Sequence, residues 1–157
     1  MNASEQCRAF MTIVRKEIKR YLRIWPQTLL PSAITMSLYF VIFGSLIGSR
    51  IGEMGGFSYM DFVVPGLIMM AIVTNSYSNV VSSFFGSKFS HAVEELLVSP
   101  VSNFVILMGY VVGGVTRGML VAVVVTLVSL FFTDLRIHSY LVVVVVVVLT
   151  SILFALA

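Results

Sequence analysis

Four apolar tracts decide what this chain can fold into: about Thr28 to Ile47, Phe62 to Phe85, Phe104 to Phe132 and Tyr140 to Ala157. At 1.5 Å per helical residue, about 20 residues match a hydrocarbon core of about 30 Å. The tracts therefore read as membrane-spanning helices, with 59% hydrophobic and 11% charged residues and a mean hydropathy of +1.03 to match. A net charge of +3 raises the question of a nucleic-acid partner. Six of the ten Lys and Arg residues, however, lie between Arg8 and Arg23, directly before the first tract, where they suit a membrane lipid surface rather than nucleic acid. Cys7 is the one cysteine, so no intrachain disulfide can form and the thiol reads as a bystander.

Residues 1–26 form an amphipathic segment. Met11, Val14, Ile18, Tyr21, Leu22 and Trp25 recur at helical spacing, with Arg15, Lys16, Lys19, Arg20 and Arg23 on the other side. Such a helix can lie in the headgroup layer with Trp25 at the boundary, before Pro26 and Pro31 redirect the chain inward. Residues 27–157 then form the transmembrane domain.

The second tract is entered through Val64-Pro65-Gly66, which should bend or delay its helix. Asn75, Ser78, Asn79 and Ser82 share one of its sides, either as hydrogen-bonding contacts between helices or as the wall of a substrate path. The third tract, 29 residues from Phe104 to Phe132, exceeds the bilayer core and must tilt, bend or begin outside it. Gly109, Gly113, Gly114 and Gly118 give two overlapping small-xxx-small pairs for close helix approach. Arg117 stands among them and must face protein or water, or snorkel to a surface. Asp134, Arg136 and His138 occupy a short polar loop. The valine run Val142 to Val148 suits a lipid-exposed helix.

The basic amino terminus places that end in the cytoplasm, which returns the polar break 86–103 to the same side. Within it, His91 to Pro100 predicts a short helix with Val93, Leu96 and Leu97 on one side, His91, Glu94 and Glu95 largely on the other, and Pro100 at its end. An acidic helix is repelled by an anionic leaflet, so its apolar side seeks either a partner groove or this chain's own bundle. Neither a phosphate loop, nor a metal-ligand cluster, nor a nucleophile with base and acid occurs, so no catalytic and no metal residue is assigned. Any ATP hydrolysis must come from another polypeptide.

The basic entry helix, Phe62-Val63-Val64-Pro65-Gly66-Leu67, the run Glu94-Glu95-Leu96-Leu97-Val98-Ser99-Pro100, and Gly113-Gly114-Val115-Thr116-Arg117-Gly118 together resemble the ABC-2 type permease family. The resemblance implies an all-α polytopic membrane protein: an interfacial connecting helix and four of an expected six transmembrane helices, the sequence being truncated at its carboxyl end. It implies an exporter subunit of the bacterial inner membrane that works as a homodimer with separate ATPase subunits, which would carry ATP and Mg. His91, Glu94, Glu95, Leu96, Leu97 and Pro100 would then belong to the coupling helix that docks on the ATPase. A stand-alone four-span antiporter or scaffold is the alternative. An antiporter would want an acid within a span, and none is placed there.

Overall fold

The computed structural model describes residues 2–48, 50, 53–54, 56–132 and 140–157. Asp134, Arg136 and His138 lie outside the described residues. The architecture is helical: α1 (Ala3–Arg23), α2 (Trp25–Val41) prolonged by a π-helical segment (Ile42–Gly48), α3 (Tyr59–Phe89), α4 (Ala92–Val98), α5 (Asn103–Ser129) and α6 (Tyr140–Leu156). A two-stranded antiparallel ribbon, β1 (Glu53–Met54) and β2 (Phe57–Ser58), precedes α3, with Gly56 at a φ of 84° in its turn. Three stretches, Trp25–Gly48, Tyr59–Phe89 and Asn103–Ser129, are long and apolar enough to cross a membrane, and α6 is a shorter apolar helix of 17 residues.

Helix α1 begins with Glu5 Oε2 accepting the Asn2 backbone N–H at 3.0 Å and ends with Arg20 and Arg23 in its last turn, so both ends complement the helix dipole. The chain turns at a single residue, Ile24 (φ −111°, ψ 30°), and α2 starts at once with Pro26 in its first turn, where a missing N–H leaves no bond unmade. Pro31 lies inside α2 and does not end it. The expected delay at Pro65 does not occur either. Helix α3 starts six residues earlier, at Tyr59, and runs through the proline.

The packing of α1 adds a protein contact on a face that the apolar stripe does not mark. Its buried residues are Ile13, Val14, Glu17 and Tyr21, whereas Met11, Leu22 and Trp25 remain exposed. At 100° per residue the covered stripe is rotated by about 75° from the apolar stripe read in sequence. What covers it is α5. The Ser102 N–H donates to Gln6 Oε1, Ile13 sits over Gly109 and Glu17 over Gly113, each pair 96 positions apart. A constant offset means that the two helices run parallel over three turns. A Cβ on Gly113 would lie 2.7 Å from Glu17 Cβ, so the absence of a side chain there permits the approach. One hundred degrees round α5, Gly114 and Gly118 receive Val80 and Ser76 of α3 and Ala155 and Ser151 of α6. The two glycine pairs thus serve different neighbours, the first α1 and the second α3 and α6.

Packing divides the interior in two. Toward the ribbon, Met36 and Phe40 of α2, Val64, Leu67 and Ala71 of α3, and Val121 and Val125 of α5 make an apolar core. Toward α4 the contact surface of α3 turns polar, through Asn75, Asn79, Ser83 and Ser87 at intervals of four. Outer faces stay apolar, and Val142 to Val146 of α6 are each 44% exposed or more, as lipid-facing residues would be.

Candidate functional site

Asn75, Asn79, Ser83 and Ser87 stand one above another on α3 because residues four apart share a helix face. Against this row α1 brings Glu17 and Arg20, α2 brings Ser32, and α5 brings Arg117. Glu17 is 1% exposed, and a carboxylate so buried needs partners. Ser83 Oγ donates to its Oε1 at 2.7 Å and Arg20 Nη2 to its Oε2 at 3.1 Å. Arg20 Nη2 also donates to the Asn79 carbonyl at 3.2 Å and to Asn79 Oδ1 at 3.0 Å. Arg117 Nη1 reaches the same Oδ1 at 3.4 Å, while its Nη2 donates to Asn75 Oδ1 at 3.2 Å. Asn75 is held in turn by Nδ2–H donation to Ser32 Oγ at 3.2 Å and to the Ala71 carbonyl at 2.9 Å. Below, Tyr110 OH donates to Ser87 Oγ at 3.1 Å.

Two guanidiniums therefore share one neutral oxygen, and Glu17 is the one carboxylate among the described residues that bonds to either. Their Nη atoms are at most about 6 Å apart, where like charges repel by about 3 kcal/mol at an effective dielectric near 20. The cluster carries one positive charge in excess. Arg20 Nε, Arg117 Nε and Asn79 Nδ2 are buried without an acceptor, so around the two guanidiniums acceptors are short; Ser76 Oγ and Ser151 Oγ, beside Gly118, are also buried without a partner.

Several residues singled out in the sequence take other positions. Arg20 leaves the cationic face and turns inward, its side chain 33% exposed. Arg15, Lys16, Lys19 and Arg23 remain exposed. Asn75 and Asn79 join the cluster, but Ser78 and Ser82 are exposed; the buried polar stripe of α3 is Asn75, Ser76, Asn79, Ser83 and Ser87. It is rotated by roughly 80° from the stripe read in sequence, because it follows α1 and the glycines of α5 rather than any periodicity of its own. Glu17 and Ser83 lie outside the stripes that the sequence marks on α1 and α3. Glu17 had a signal: it lies on the side of α1 away from the cations, between Val14 and Tyr21, where a solvated acid has no reason to be.

The second feature is α4, held between the ends of α3 and α5. Its first residue follows His91, which takes a left-handed conformation (φ 58°) and places Nδ1 2.9 Å from Glu94 Oε1. Val93 and Leu96 are half-buried, but Leu97, predicted to share their side, is 61% exposed, and Val98 is 87% exposed. At 100° per residue Leu97 lies 100° round the helix from Leu96, at the far edge of that side, so the neighbours that cover Leu96 leave it open. With Phe89 at 84% exposure and Glu94, Glu95 and Pro100 also exposed, the turn presents an apolar tip flanked by acids. Between α3, α5 and α6 a groove of about 380 Å³ opens beside it, lined by Phe84, Leu97, Leu107 and Tyr110 among others.

Residues 8–157 match the family described as ABC-2 type transporter. The chain is 60% identical over 149 residues to proteins called inner membrane transport permease YadH in Escherichia coli K12 and in Shigella flexneri. The alignment covers 95% of this chain and 58% of each relative, so the chain spans little more than half the length of the curated relatives it matches. No solved structure gives a significant match.

Proposed function

This chain belongs to the ABC-2 type transporter family, and on that premise we propose that it is the permease part of an ATP-binding cassette exporter in the bacterial inner membrane. It crosses the membrane four times with a cytoplasmic amino terminus, pairs with a second copy, and is driven by ATPase subunits that hold ATP and Mg. The observation that carries this reading is the exposed tip of α4. An apolar residue that is 87% exposed at the water-facing end of a membrane bundle, beside Glu94 and Glu95, has the composition of a docking surface: an apolar anchor within a polar rim. Helix α4 is bonded into the chain between α3 and α5, the two longest helices, so force applied to it passes directly to both.

The parallel run of α1 along α5 supports the same topology. Helices α3 and α5, at 31 and 27 residues, span about 46 and 40 Å, well beyond a core of about 30 Å. The excess is the stretch flanked by α1, whose outer face carries Arg15, Lys16 and Lys19 into the cytoplasmic headgroup layer, with exposed Met11, Leu22 and Trp25 against lipid.

Co-expression with a cognate ATP-binding cassette ATPase tests the docking. Glu94→Lys with Glu95→Lys, or Val98→Asp alone, reduces co-purification about tenfold or more, a central apolar anchor being worth 2 kcal/mol or more. Association unaltered by either variant sinks the reading and returns the stand-alone four-span protein. Cys7, exposed near the amino terminus, tests the orientation. A membrane-impermeant maleimide labels it in inverted vesicles and not in intact spheroplasts.

A further inference from the structure

We propose that the Arg20–Arg117 pair is an anion site that takes a phosphate group, supplied either by the headgroup of an anionic lipid or by a free phosphate ester. The inference rests on this chain's own side chains and stands apart from the transport reading.

Three observations carry it. Arg20 and Arg117, from different helices, converge on a single Asn79 Oδ1 at 3.0 and 3.4 Å, the arrangement that two guanidiniums take about a phosphate oxygen. The charge balance leaves one cation over, since Glu17 is engaged by Arg20 and Ser83 while Arg117 has only the neutral amides of Asn75 and Asn79. The unmet hydrogen-bonding capacity on Asn79 and the two guanidiniums is donor: Asn79, 0% exposed, has an unpartnered Nδ2, and both arginine Nε atoms are likewise unpartnered. A lost acceptor costs a buried N–H its full desolvation penalty, so the missing component is acceptor-rich and negative.

Access is from the Arg20 side. That guanidinium is one-third exposed, and it lies on the last turn of α1, one residue before the buried Tyr21 and five before the exposed Trp25. A lipid phosphate at headgroup depth and a dissolved phosphate both reach such a position. Planar guanidiniums suit a phosphate better than point charges, because each offers two parallel N–H groups.

The test uses the chain in nanodiscs, with thermal unfolding as the readout, since a ligand bound only by the folded state raises the melting temperature with its concentration. In discs of phosphatidylcholine alone, inorganic pyrophosphate is titrated against sodium chloride at matched ionic strength. In a second arm, phosphatidylglycerol replaces the phosphatidylcholine in graded steps, first without free anion and then with pyrophosphate added. A saturable rise in the first arm identifies a free phosphate site. A rise in the second that added pyrophosphate does not extend identifies a headgroup site. In whichever arm responds, Arg117→Gln and Arg20→Gln raise the half-saturating concentration about tenfold or more, whereas Lys19→Gln, on the exposed cationic face, leaves it unchanged. If Arg117→Gln does not fold, Arg20→Gln decides in its place. No saturable rise in either arm, or equal effects of Lys19→Gln and the arginine variants, overturns the proposal.

Discussion

The excess charge in the polar cluster makes the effect of removing Arg117 depend on whether Glu17 is present. With Glu17 in place, its negative charge offsets part of the repulsion between the two guanidiniums. Arg117→Gln then gives up two long hydrogen bonds to amides, worth about 1 kcal/mol together, and relieves little. It is therefore destabilising by up to about 1 kcal/mol. In a Glu17→Gln background the cluster holds two unopposed cations within about 6 Å, repelling by about 3 kcal/mol. There the same change removes that repulsion for the same lost bonds and is stabilising by about 2 kcal/mol. Glu17→Gln alone costs about 2–4 kcal/mol, because Ser83 and Arg20 both lose a charged acceptor, with the Arg20 share reduced by its one-third exposure. The four proteins can be compared by SDS titration in maltoside micelles in phosphate-free buffer, followed through Trp25, the chain's one tryptophan. A reversal of sign for Arg117→Gln between the two backgrounds is the expected result. Equal effects in both, within about 0.5 kcal/mol, would mean that Glu17 and Arg117 do not share a site, and the charge argument would be wrong.

Glycines on the two long helices should respond oppositely to alanine in the same unfolding assay. Gly113→Ala drives a Cβ into Glu17 and loses about 1–3 kcal/mol as α1 is pushed from α5, whereas Gly86→Ala, with nothing within 4 Å, gains about 0.5–1 kcal/mol from helix propensity. His91→Gly relieves a left-handed backbone that costs a non-glycine residue about 1 kcal/mol, and the pair it forfeits with Glu94 is exposed on both sides and worth little. A net gain in melting temperature is expected for His91→Gly, and a loss would show that the His91–Glu94 contact holds the turn.

The sequence by itself determined the class and the plan of this protein. Apolar tracts of bilayer length admit only helices once the backbone must satisfy itself, and the polar break with its closing proline requires a turn. A run such as Glu94 to Pro100 carries its family in its letters. The sequence did not determine which face of each helix meets which neighbour. In α1 and in α3 the stripe read from periodicity is about 75–80° from the stripe that is buried, and the physical reason is shared. Periodicity reports a contrast between apolar and polar surroundings, but beside a bilayer lipid and protein are equally apolar, so Met11 and Val14 look alike although only Val14 is covered. Glycines that admit a neighbour, and charges that must be paired once buried, fix the rotation instead. Gly109 and Gly113 draw Ile13 and Glu17 against α5, Glu17 brings Arg20 with it, and Arg20 meets Arg117 at Asn79. Arg20 and Arg117 lie 97 positions apart, and only the tertiary structure could bring them to one oxygen atom.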